Sequence, residues 1–435
     1  MISKHGLSTF FVKGNANMNY KPSKFNYNFQ IDEKTVGLYN TFTQALAALR
    51  LEEFSALEHG GDLLPVADQR SCIENGFLVP EGRNENVLLD QARADGILNS
   101  NTAVYRILTT SACNARCFYC YENRNQAISM DRKTATQVAR FIQERSGNTS
   151  VRVQWFGGEP LLNPEIIEYM TKLLKQQISD NNLQFSIITN GSLINDELIH
   201  KMTSDWNISQ IQITLDGTDK EYARRKNYVG LADPFRTVLQ NIQLAIQSGI
   251  RTVIRLNYDY NNYSDILQLI ERLGKTLPRA ENLRVYAYHL YSTDSQNPVD
   301  QNQKEEWFTI QDALILHRFT TPEQAFSLWT RRTRCFACQT KGFVITPEGV
   351  LFKCPMAMTD SNAKVGDVWN GITNEAAMAC WCNIELKTQC RTCVFMPICQ
   401  GGCRAGELGY SSEVCFPQKE FLDEVLRKRL WKQNT

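Results

Sequence analysis

Short apolar runs alternate with amphipathic segments through the middle of this 435-residue chain. The apolar runs have the composition of β-strands and end in glycine or polar residues; they cover residues 103–108, 151–156, 185–191, 211–217, 252–257 and 283–288. Helical periodicity separates them, most clearly at 131–144, where Val138, Phe141 and Ile142 share a face, and at 235–246. The spacing suits parallel strands joined by crossover helices. It predicts about six βα units, too few for a closed eight-stranded barrel.

The first hundred residues have a different pattern. Residues 25–31 alternate apolar and polar positions, and a second strand-like run at 35–40 follows the polar turn 32–34, so we predict a hairpin. Helical spacing continues through Leu49, Phe54 and Leu57 and again at 67–74, before an apolar stretch at 76–80. This region therefore predicts strands followed by short helices.

Three cysteines, Cys113, Cys117 and Cys120, follow the first strand of the middle region in the spacing CxxxCxYC. Three thiolates leave one iron of a four-iron cubane without a protein ligand, as chemistry at the cluster requires. A zinc site is the alternative, although zinc normally has a fourth Cys or His nearby. The spacing resembles the signature of radical SAM enzymes, in which the open iron binds the amino and carboxylate groups of S-adenosylmethionine (SAM).

Further motifs carry the same resemblance. Gly157, Gly158 and Glu159 form a GGEP motif in which glycines permit close backbone approach and a carboxylate can meet an ammonium; it resembles the family's motif for the SAM amino group. By resemblance, the SAM pocket also includes Tyr119, Asn190, Thr214 and Asp216, and Arg225 pairs with the SAM carboxylate. Arg224 adjoins Arg225 and Tyr222 stands where the family usually has His, so the register of this cation is open by one residue.

A second constellation of eight cysteines occupies the C-terminal region. Eight thiolates suffice for two fully ligated cubanes, and their order resembles the SPASM extension of radical SAM enzymes. The resemblance implies a first auxiliary cluster on Cys335, Cys338, Cys354 and Cys403, and a second on Cys390, Cys393, Cys399 and Cys415. A zinc ribbon at Cys390 and Cys393 is the alternative. Cys72, Cys380 and Cys382 fall outside the scheme; we expect small buried apolar side chains, although Cys380 or Cys382 could replace an assigned ligand.

Composition agrees with this class without naming a reaction. A chain that is 43% hydrophobic and 21% charged can bury a large core in two or three domains. Fourteen cysteines, with no signal peptide and no apolar run long enough for a membrane span, predict a reducing cytoplasm and no membrane partner. The net charge of +1 argues against a nucleic-acid partner. The basic run at 331–334, beside Cys335, would offset an anionic cluster or steer an acidic peptide.

The predicted fold class is α/β, with a partial (β/α)6 TIM-like barrel at residues 99–320 and a SPASM iron–sulfur domain at 321–435. Residues 1–98 resemble the winged-helix peptide-recognition element of enzymes that modify ribosomally made peptides. Such an element binds a leader peptide along the edge of its sheet. A packing extension that binds nothing is the alternative.

The resemblance implies a radical SAM/SPASM peptide maturase with three 4Fe-4S clusters and SAM. Its partners would be a precursor peptide with a leader and a one-electron reductant such as flavodoxin or ferredoxin. SAM cleavage would yield a 5′-deoxyadenosyl radical that abstracts hydrogen from the peptide, so that a thioether or carbon–carbon crosslink forms. The alternatives are a sulfatase-type formylglycine-forming maturase, a small-molecule dehydrogenase and a non-catalytic iron–sulfur or zinc scaffold. One residue argues against the sulfatase-type alternative. That subfamily has an acidic residue beside a cluster cysteine, whereas Cys354 is followed here by Pro355.

Overall fold

The computed structural model of the protein describes residues 18–122, 127–290, 301–327, 335–411, 415, 419 and 421–431. The basic run at 331–334 lies outside these residues. The strands are β1 Tyr20–Pro22, β2 Asn26–Asp32, β3 Thr35–Asn40, β4 Leu46–Arg50, β5 Leu78–Pro80, β6 Thr102–Thr110, β7 Ser150–Gly157, β8 Leu183–Thr189, β9 Ile208–Leu215, β10 Arg251–Tyr258, β11 Leu283–His289, β12 Gly342–Ile345, β13 Val350–Phe352, β14 Gly366–Asp367 and β15 Gly371–Ile372.

The helices fall between and after these strands. They are α1 Leu51–Glu58, α2 Val66–Glu74, α3 Glu85–Leu98, α4 Arg132–Ser146, α5 Pro164–Gln177, α6 Asp196–His200, α7 Asp219–Lys226, α8 Pro234–Gln247, α9 Tyr263–Thr276, α10 Gln301–Leu316, α11 Pro322–Ala325, α12 Glu375–Trp381, α13 Thr388–Arg391, α14 Met396–Cys399, α15 Arg404–Glu407 and α16 Leu422–Trp431. In the part of the chain that the structure describes, no helix is both long and apolar enough to span a membrane.

Strands β6 to β11 form a parallel sheet in sequence order, each paired with the next. All six were predicted from the sequence, and the predicted α/β class is confirmed. Strand β11 is an edge of the sheet, while β6 pairs on its other side with β12, which leads into the short strands β13 to β15. Among the described residues β6 and β11 are therefore not joined, and the curved sheet stays open at one side.

The two faces of this sheet differ in polarity. Val153, Ile213 and Ile254 belong to the main buried core, to which the apolar positions of α4, α5, α8 and α9 also contribute. Helix α4 begins after Asp131, whose carboxylate accepts a hydrogen bond from the Thr134 amide at 2.8 Å, as an N-cap should. Because side chains alternate along a strand, the half-buried neighbours of the core residues line the opposite, concave face.

The N-terminal region contains the predicted hairpin, with β2, β3 and β4 in one antiparallel sheet. Leu38 and Ala47 pack with residues of α1, α2 and β5 on one face of this sheet. Phe29, Tyr39 and Leu46 on the other face pack against α16 and α10 at the far end of the chain. The sheet is thus covered on both faces, and the C-terminal helix supplies half of the cover. Its winged-helix character stays a prediction.

Helix α3 connects the N-terminal region to the cysteine-rich tail. The buried Arg93 guanidinium donates hydrogen bonds to the carbonyl oxygens of Gln400, at 2.6 Å, and Ile384, at 3.2 Å. Phe25 and Leu89 pack on Met396, with Cys393 at the edge of the same cluster. The second predicted cysteine set therefore adjoins the N-terminal region.

We predict that Leu426→Ala lowers the free energy of unfolding by about 3 kcal/mol, because Leu426 is fully buried between α16 and the N-terminal sheet. Leu63→Ala is the matched control, since Leu63 is 82% exposed, and should change stability little. Denaturant unfolding of both variants measures this. Equal stability of the two variants would mean that α16 does not hold the sheet in solution.

Candidate functional site

The loop that carries Cys113, Cys117 and Cys120 follows β6 and is fixed by the chain around it. The Arg116 amide donates to the Lys226 carbonyl oxygen at 2.8 Å, and the Asn114 carbonyl oxygen accepts from the Val229 amide at 2.8 Å. The Asn190 side chain donates to the Asn114 side chain at 2.7 Å. The loop is thereby attached to the end of α7 and to the turn after β8.

The three cysteines of this loop form no disulfide and are half-buried. The Cys120 amide donates to the Cys117 carbonyl oxygen at 3.2 Å, which turns the loop between them. The donor set therefore fits a cluster with three protein ligands at the carboxyl end of β6, where parallel α/β sheets build their sites.

Gly157 and Gly158 let the end of β7 contact this loop. Gly157 has a φ of 121°, and a Cβ there would lie 2.3 Å from the Thr110 carbonyl oxygen. A Cβ on Gly158 would lie 2.3 Å from the Ala112 carbonyl oxygen. The close approach predicted from the sequence is thus observed to the chain's own cysteine loop. Any other residue would push the loop away.

Glu159 is fully buried beside this contact. Its carboxylate accepts hydrogen bonds from the Thr189 hydroxyl at 2.7 Å, the Asn190 amide at 2.7 Å and the Leu161 amide at 3.1 Å. Burial raises the pKa of Glu159 to about 7, against the opposing effect of these donors. The side chain therefore joins β7 to the end of β8. Contact between this motif and the SAM amino group stays a prediction.

A buried lysine joins the other predicted SAM residues. The Lys226 ammonium lies 2.8 Å from the Tyr119 hydroxyl, 2.7 Å from the Thr214 hydroxyl and 3.3 Å from an Asp216 carboxylate oxygen. Tyr119 also hydrogen-bonds Asp216. Burial alone would lower the pKa of Lys226, but the charges of Asp216, Tyr119 and Cys117 raise it well above its usual value. Three predicted pocket residues thus meet around a cation that the sequence analysis did not select.

Arg225, the predicted partner of the SAM carboxylate, is paired with carboxylates of this chain. Its guanidinium contacts both Asp259 oxygens, at 3.3 and 2.5 Å, and a Glu221 oxygen at 3.5 Å, and it lies over the Phe118 ring. The role predicted for Arg225 remains untested. Its neighbour Lys226 is the cation that faces Tyr119 and Asp216. The sequence contained a signal for Lys226. The position of the cation that binds the SAM carboxylate was open between Arg224 and Arg225, and the same basic run continues into Lys226.

The tail brings the first predicted auxiliary set together. Burial raises the pKa of the Cys354 thiol to about 12, and the charges of Cys335 and Cys403 act in the same direction. Burial also raises the pKa of Cys335, on which Cys338 and Cys403 act likewise. The four thiols are thus linked by electrostatic interactions, while their ligation of one cluster stays a prediction.

The second set is also assembled in part. Burial raises the pKa of Cys390, and the charges of Cys393 and Cys415 add to that effect. Cys399, the fourth predicted ligand, ends α14. No group of His, Cys, Asp or Glu among the described residues converges as closely as the ligands of a single ion do. Cubane ligands bind separate irons.

The three unassigned cysteines differ in environment. Cys72 is buried between the N-terminal sheet and its helices, as predicted, and burial raises the pKa of its thiol to about 11. Cys382 is half-buried and Cys380 is exposed, so the expectation of small buried side chains was wrong for these two. The charge of Cys338 acts on Cys382, whose pKa is raised mainly by burial. Replacement of a ligand by Cys382 stays open.

Residues 107–273 match the sequence profile of the Radical SAM superfamily. The chain carries a radical SAM domain. This segment runs from β6 through most of α9 and contains the Cys113 loop, Glu159 and the Lys226 cluster. The radical SAM family implies a 4Fe-4S cluster and SAM. Three cysteines outside disulfides on one loop fit the binding of these groups, as does the buried Oδ1 atom of Asp216 beside it, which has no hydrogen-bond partner among the described residues.

Similar proteins include radical SAM enzymes of different activity. The AdoMet-dependent heme synthase of Methanosarcina barkeri is 21% identical over 327 residues, which cover 68% of this chain and 89% of that protein. The PqqA peptide cyclase of Granulibacter bethesdensis is 22% identical over 352 residues, or 74% and 89% of the two chains.

Solved structures show that the fold is shared beyond the radical SAM domain. The structure of anSMEcpe with bound AdoMet has a TM-score of 0.59 and 15% identity, covering 77% of this chain and 98% of that chain. Streptococcus suis SuiB bound to precursor peptide SuiA has a TM-score of 0.51 and 15% identity, covering 91% and 98%.

We predict that Cys117→Ala abolishes reductive cleavage of SAM and lowers the iron content by about one cubane, because two thiolates remain on a loop that needs three. Formation of 5′-deoxyadenosine under dithionite and iron analysis measure this. Cys72→Ala is the matched control, since Cys72 is buried far from this loop in the N-terminal region. Wild-type cleavage by Cys117→Ala would remove the loop from SAM chemistry.

We also predict that Lys226→Met weakens SAM binding at least tenfold, because Lys226 is the cation facing the predicted pocket residues. Calorimetric titration of reconstituted protein with SAM measures the dissociation constant. Arg224→Met is the control, since its side chain is 61% exposed. Loss of affinity in Arg225→Met with normal affinity in Lys226→Met would instead support the role predicted for Arg225.

Proposed function

We propose that this protein is a radical SAM peptide maturase that installs a thioether or carbon–carbon crosslink in a ribosomally made precursor peptide. The observation that carries the proposal is the combination of a radical SAM domain with a cysteine-rich tail and an open sheet edge in the N-terminal region. We infer three 4Fe-4S clusters, one at the Cys113 loop and two in the tail. A flavodoxin or ferredoxin would supply the electron.

The chemistry supplied by bound cluster and SAM would be reductive cleavage to methionine and a 5′-deoxyadenosyl radical, which takes hydrogen from the peptide. The protein's own residues position the reacting groups and exclude water. Cys113, Cys117 and Cys120 would hold the cluster. Glu159 fixes the turn after β8, and Lys226 offers a positive charge to the SAM carboxylate.

Proximity of the tail to the SAM site supports a role for the first auxiliary set in the same reaction. Tyr121 follows the last cysteine of the loop and is 38% exposed. Burial raises its pKa, and the charges of both Cys120 and Cys354 act on it in the same direction. Tyr121 thus interacts electrostatically with both the loop and the tail. A cluster on the tail set could take the electron left on the substrate or bind a substrate thiolate.

The N-terminal sheet has one edge suited to a leader peptide. The Asn40 amide donates to the Ala45 carbonyl oxygen, and hydrogen-bonded pairs alternate along an antiparallel ladder. The backbone N–H and C=O groups of Ala45, Ala47 and Leu49 therefore point toward β3, and those of Ala48 point away from it. Strand β4 ends the sheet, and Ala48 is exposed. A peptide could therefore extend the sheet by pairing with β4.

The likeness to SuiB supports this placement. It covers 91% of the chain and leaves about 39 residues unmatched, fewer than the stretch 18–98 contains, so it extends into the N-terminal region. The match to anSMEcpe covers 77%. The N-terminal region thus has a free strand edge, and it belongs to a fold shared with SuiB, whose structure contains a precursor peptide. Leader binding is the simplest function for such a region.

The leader function is best tested in the full chain, because α16 covers one face of the N-terminal sheet. We predict that Ala48→Pro raises the KM for a full precursor at least tenfold and leaves a leaderless core peptide unaffected. Proline removes the outward N–H at Ala48 without breaking a β3–β4 hydrogen bond. Lost uniform binding appears in KM before kcat. The substrate to use is a precursor peptide from a short open reading frame beside the gene for this protein, tested with and without its leader.

Glu52→Pro is the matched control, because it places proline in the first turn of α1, where an N–H has no helical partner. Product mass and tandem mass spectrometry report the crosslink as a loss of two hydrogen atoms. Equal effects on precursor and core peptide would argue against leader binding at β4. A product carrying formylglycine would replace the crosslinking reaction with the sulfatase-type alternative.

A further inference from the structure

Two arginines on the polar face of the parallel sheet have no carboxylate partner among the described residues, although the charge of Arg106 also acts on the thiols of Cys335 and Cys354. Arg106 lies on β6 and Arg255 on β10, and both are half-buried. Every ion pair between described side chains uses other cations. Arg225, in contrast, is fully buried with two carboxylates. A half-buried guanidinium without a counterion favours binding of an anion.

The two arginines converge on Tyr286 of β11. Arg255 and Tyr286 are paired in register on neighbouring strands. Burial raises the pKa of Tyr286, while the charges of Arg255 and Arg106 lower it, so both guanidinium groups lie near the tyrosine hydroxyl. That hydroxyl donates to the Gln212 side-chain oxygen at 3.3 Å. Tyr286 keeps 37% of its surface exposed, so a ligand can reach this face of the sheet.

Arg255 is held so that its terminal nitrogens are available. Its guanidinium carbon lies 3.9 Å from the centre of the Tyr288 ring, and its Nε donates to the Asn257 side-chain oxygen at 2.8 Å. A side-chain hydrogen bond also joins Arg255 to Tyr286, and the hydrogen bonds of Arg255 thus go to neutral side chains of the sheet. The planar fork of arginine suits bidentate recognition of a carboxylate.

An unused acceptor lies on the same face. Gln154 of β7 is in register with Arg106, and its Oε1 atom is buried without a hydrogen-bond partner among the described residues. A buried acceptor of this kind is costly unless a donor reaches it. A substrate with both an anion and an N–H would satisfy Arg106, Arg255 and Gln154 together.

These side chains lie between the two cysteine regions. Arg106 lies 4.7 Å from the centre of the Phe336 ring, next to Cys335. On the other side, Asn257, the partner of Arg255, donates to the Tyr119 hydroxyl at 3.3 Å. A group bound by the arginines would therefore stand near both the SAM pocket and the first auxiliary set.

We propose that Arg255 and Arg106 bind a carboxylate of the substrate, so that the peptide segment modified by this protein carries an acidic side chain or a free carboxyl terminus at this position. The inference rests on the proposed function, whose peptide substrate it specifies. Gln154 accepts a hydrogen bond from an amide of the same segment. Tyr286 and Gln212 form the wall between the two arginines.

The experiment measures binding of three small probes to the reconstituted, SAM-loaded protein by saturation-transfer NMR. N-acetyl-glutamate α-amide carries a side-chain carboxylate, N-acetyl-glutamine carries only an α-carboxylate, and N-acetyl-glutamine α-amide carries none. We expect one of the two acids to bind at least tenfold more tightly than the neutral probe, and the better acid identifies the source of the carboxylate.

Arg255→Gln should abolish this preference, Arg255→Lys should restore part of it, and Arg106→Gln should reduce it. Arg284→Gln is the matched control, because Arg284 lies two residues before Tyr286 on the same strand and donates only to backbone carbonyls. It should keep the wild-type preference. Equal binding of all three probes, binding of none, or a preference that survives Arg255→Gln would overturn the proposal.

The probes need no leader, so this result is independent of the Ala48→Pro test. A carboxylate preference that is lost in Arg255→Gln would support the carboxylate site. If no precursor peptide were modified in the same protein, the site would stand and the proposed peptide substrate would be wrong. Modification of a precursor together with equal probe binding would keep the proposed function and remove the carboxylate site.

Discussion

The buried contact between Lys226 and Asp216 connects the parts of the molecule that the radical SAM site requires. Lys226 ends α7, Asp216 follows β9, and Tyr119 belongs to the cysteine loop, while the Lys226 carbonyl oxygen also accepts from that loop. Taking an ammonium and a carboxylate out of water is costly, and the Tyr119 and Thr214 hydroxyls offset the cost. Because either charge alone would be buried and unpaired, the loop and the strand ends must stay together.

Glu159 plays the matching part on the other side of the loop. Its carboxylate gathers donors from the end of β8, and the two glycines before it bring β7 against the loop. Both groups act at the carboxyl ends of parallel strands, where side chains from several strands converge. The sheet therefore provides a rigid frame, and chemically active groups are carried by short segments attached to it. Positioning is the protein's main contribution when cofactors break the difficult bonds.

The two ends of the chain are packed into one arrangement around this frame. Helix α16 covers a face of the N-terminal sheet, and Arg93 connects α3 to the cysteine-rich tail. The tail in turn approaches the concave face of the sheet through Phe336 and Arg106. A peptide bound at β4 would thus belong to a region that contacts the tail directly. The proposed carboxylate site at Arg106 and Arg255 would then add a charge that selects the substrate.

The sequence by itself determined the six parallel strands and the N-terminal hairpin, because periodicity is a local property. It left the cation open between Arg224 and Arg225 and did not select Lys226, since successive helical residues point about 100° apart and only packing shows which one faces Tyr119 and Asp216. It also could not show that α16 covers the N-terminal sheet, or that Arg106 and Arg255 lack carboxylates. These outcomes depend on contacts between distant segments, which only the tertiary structure decides.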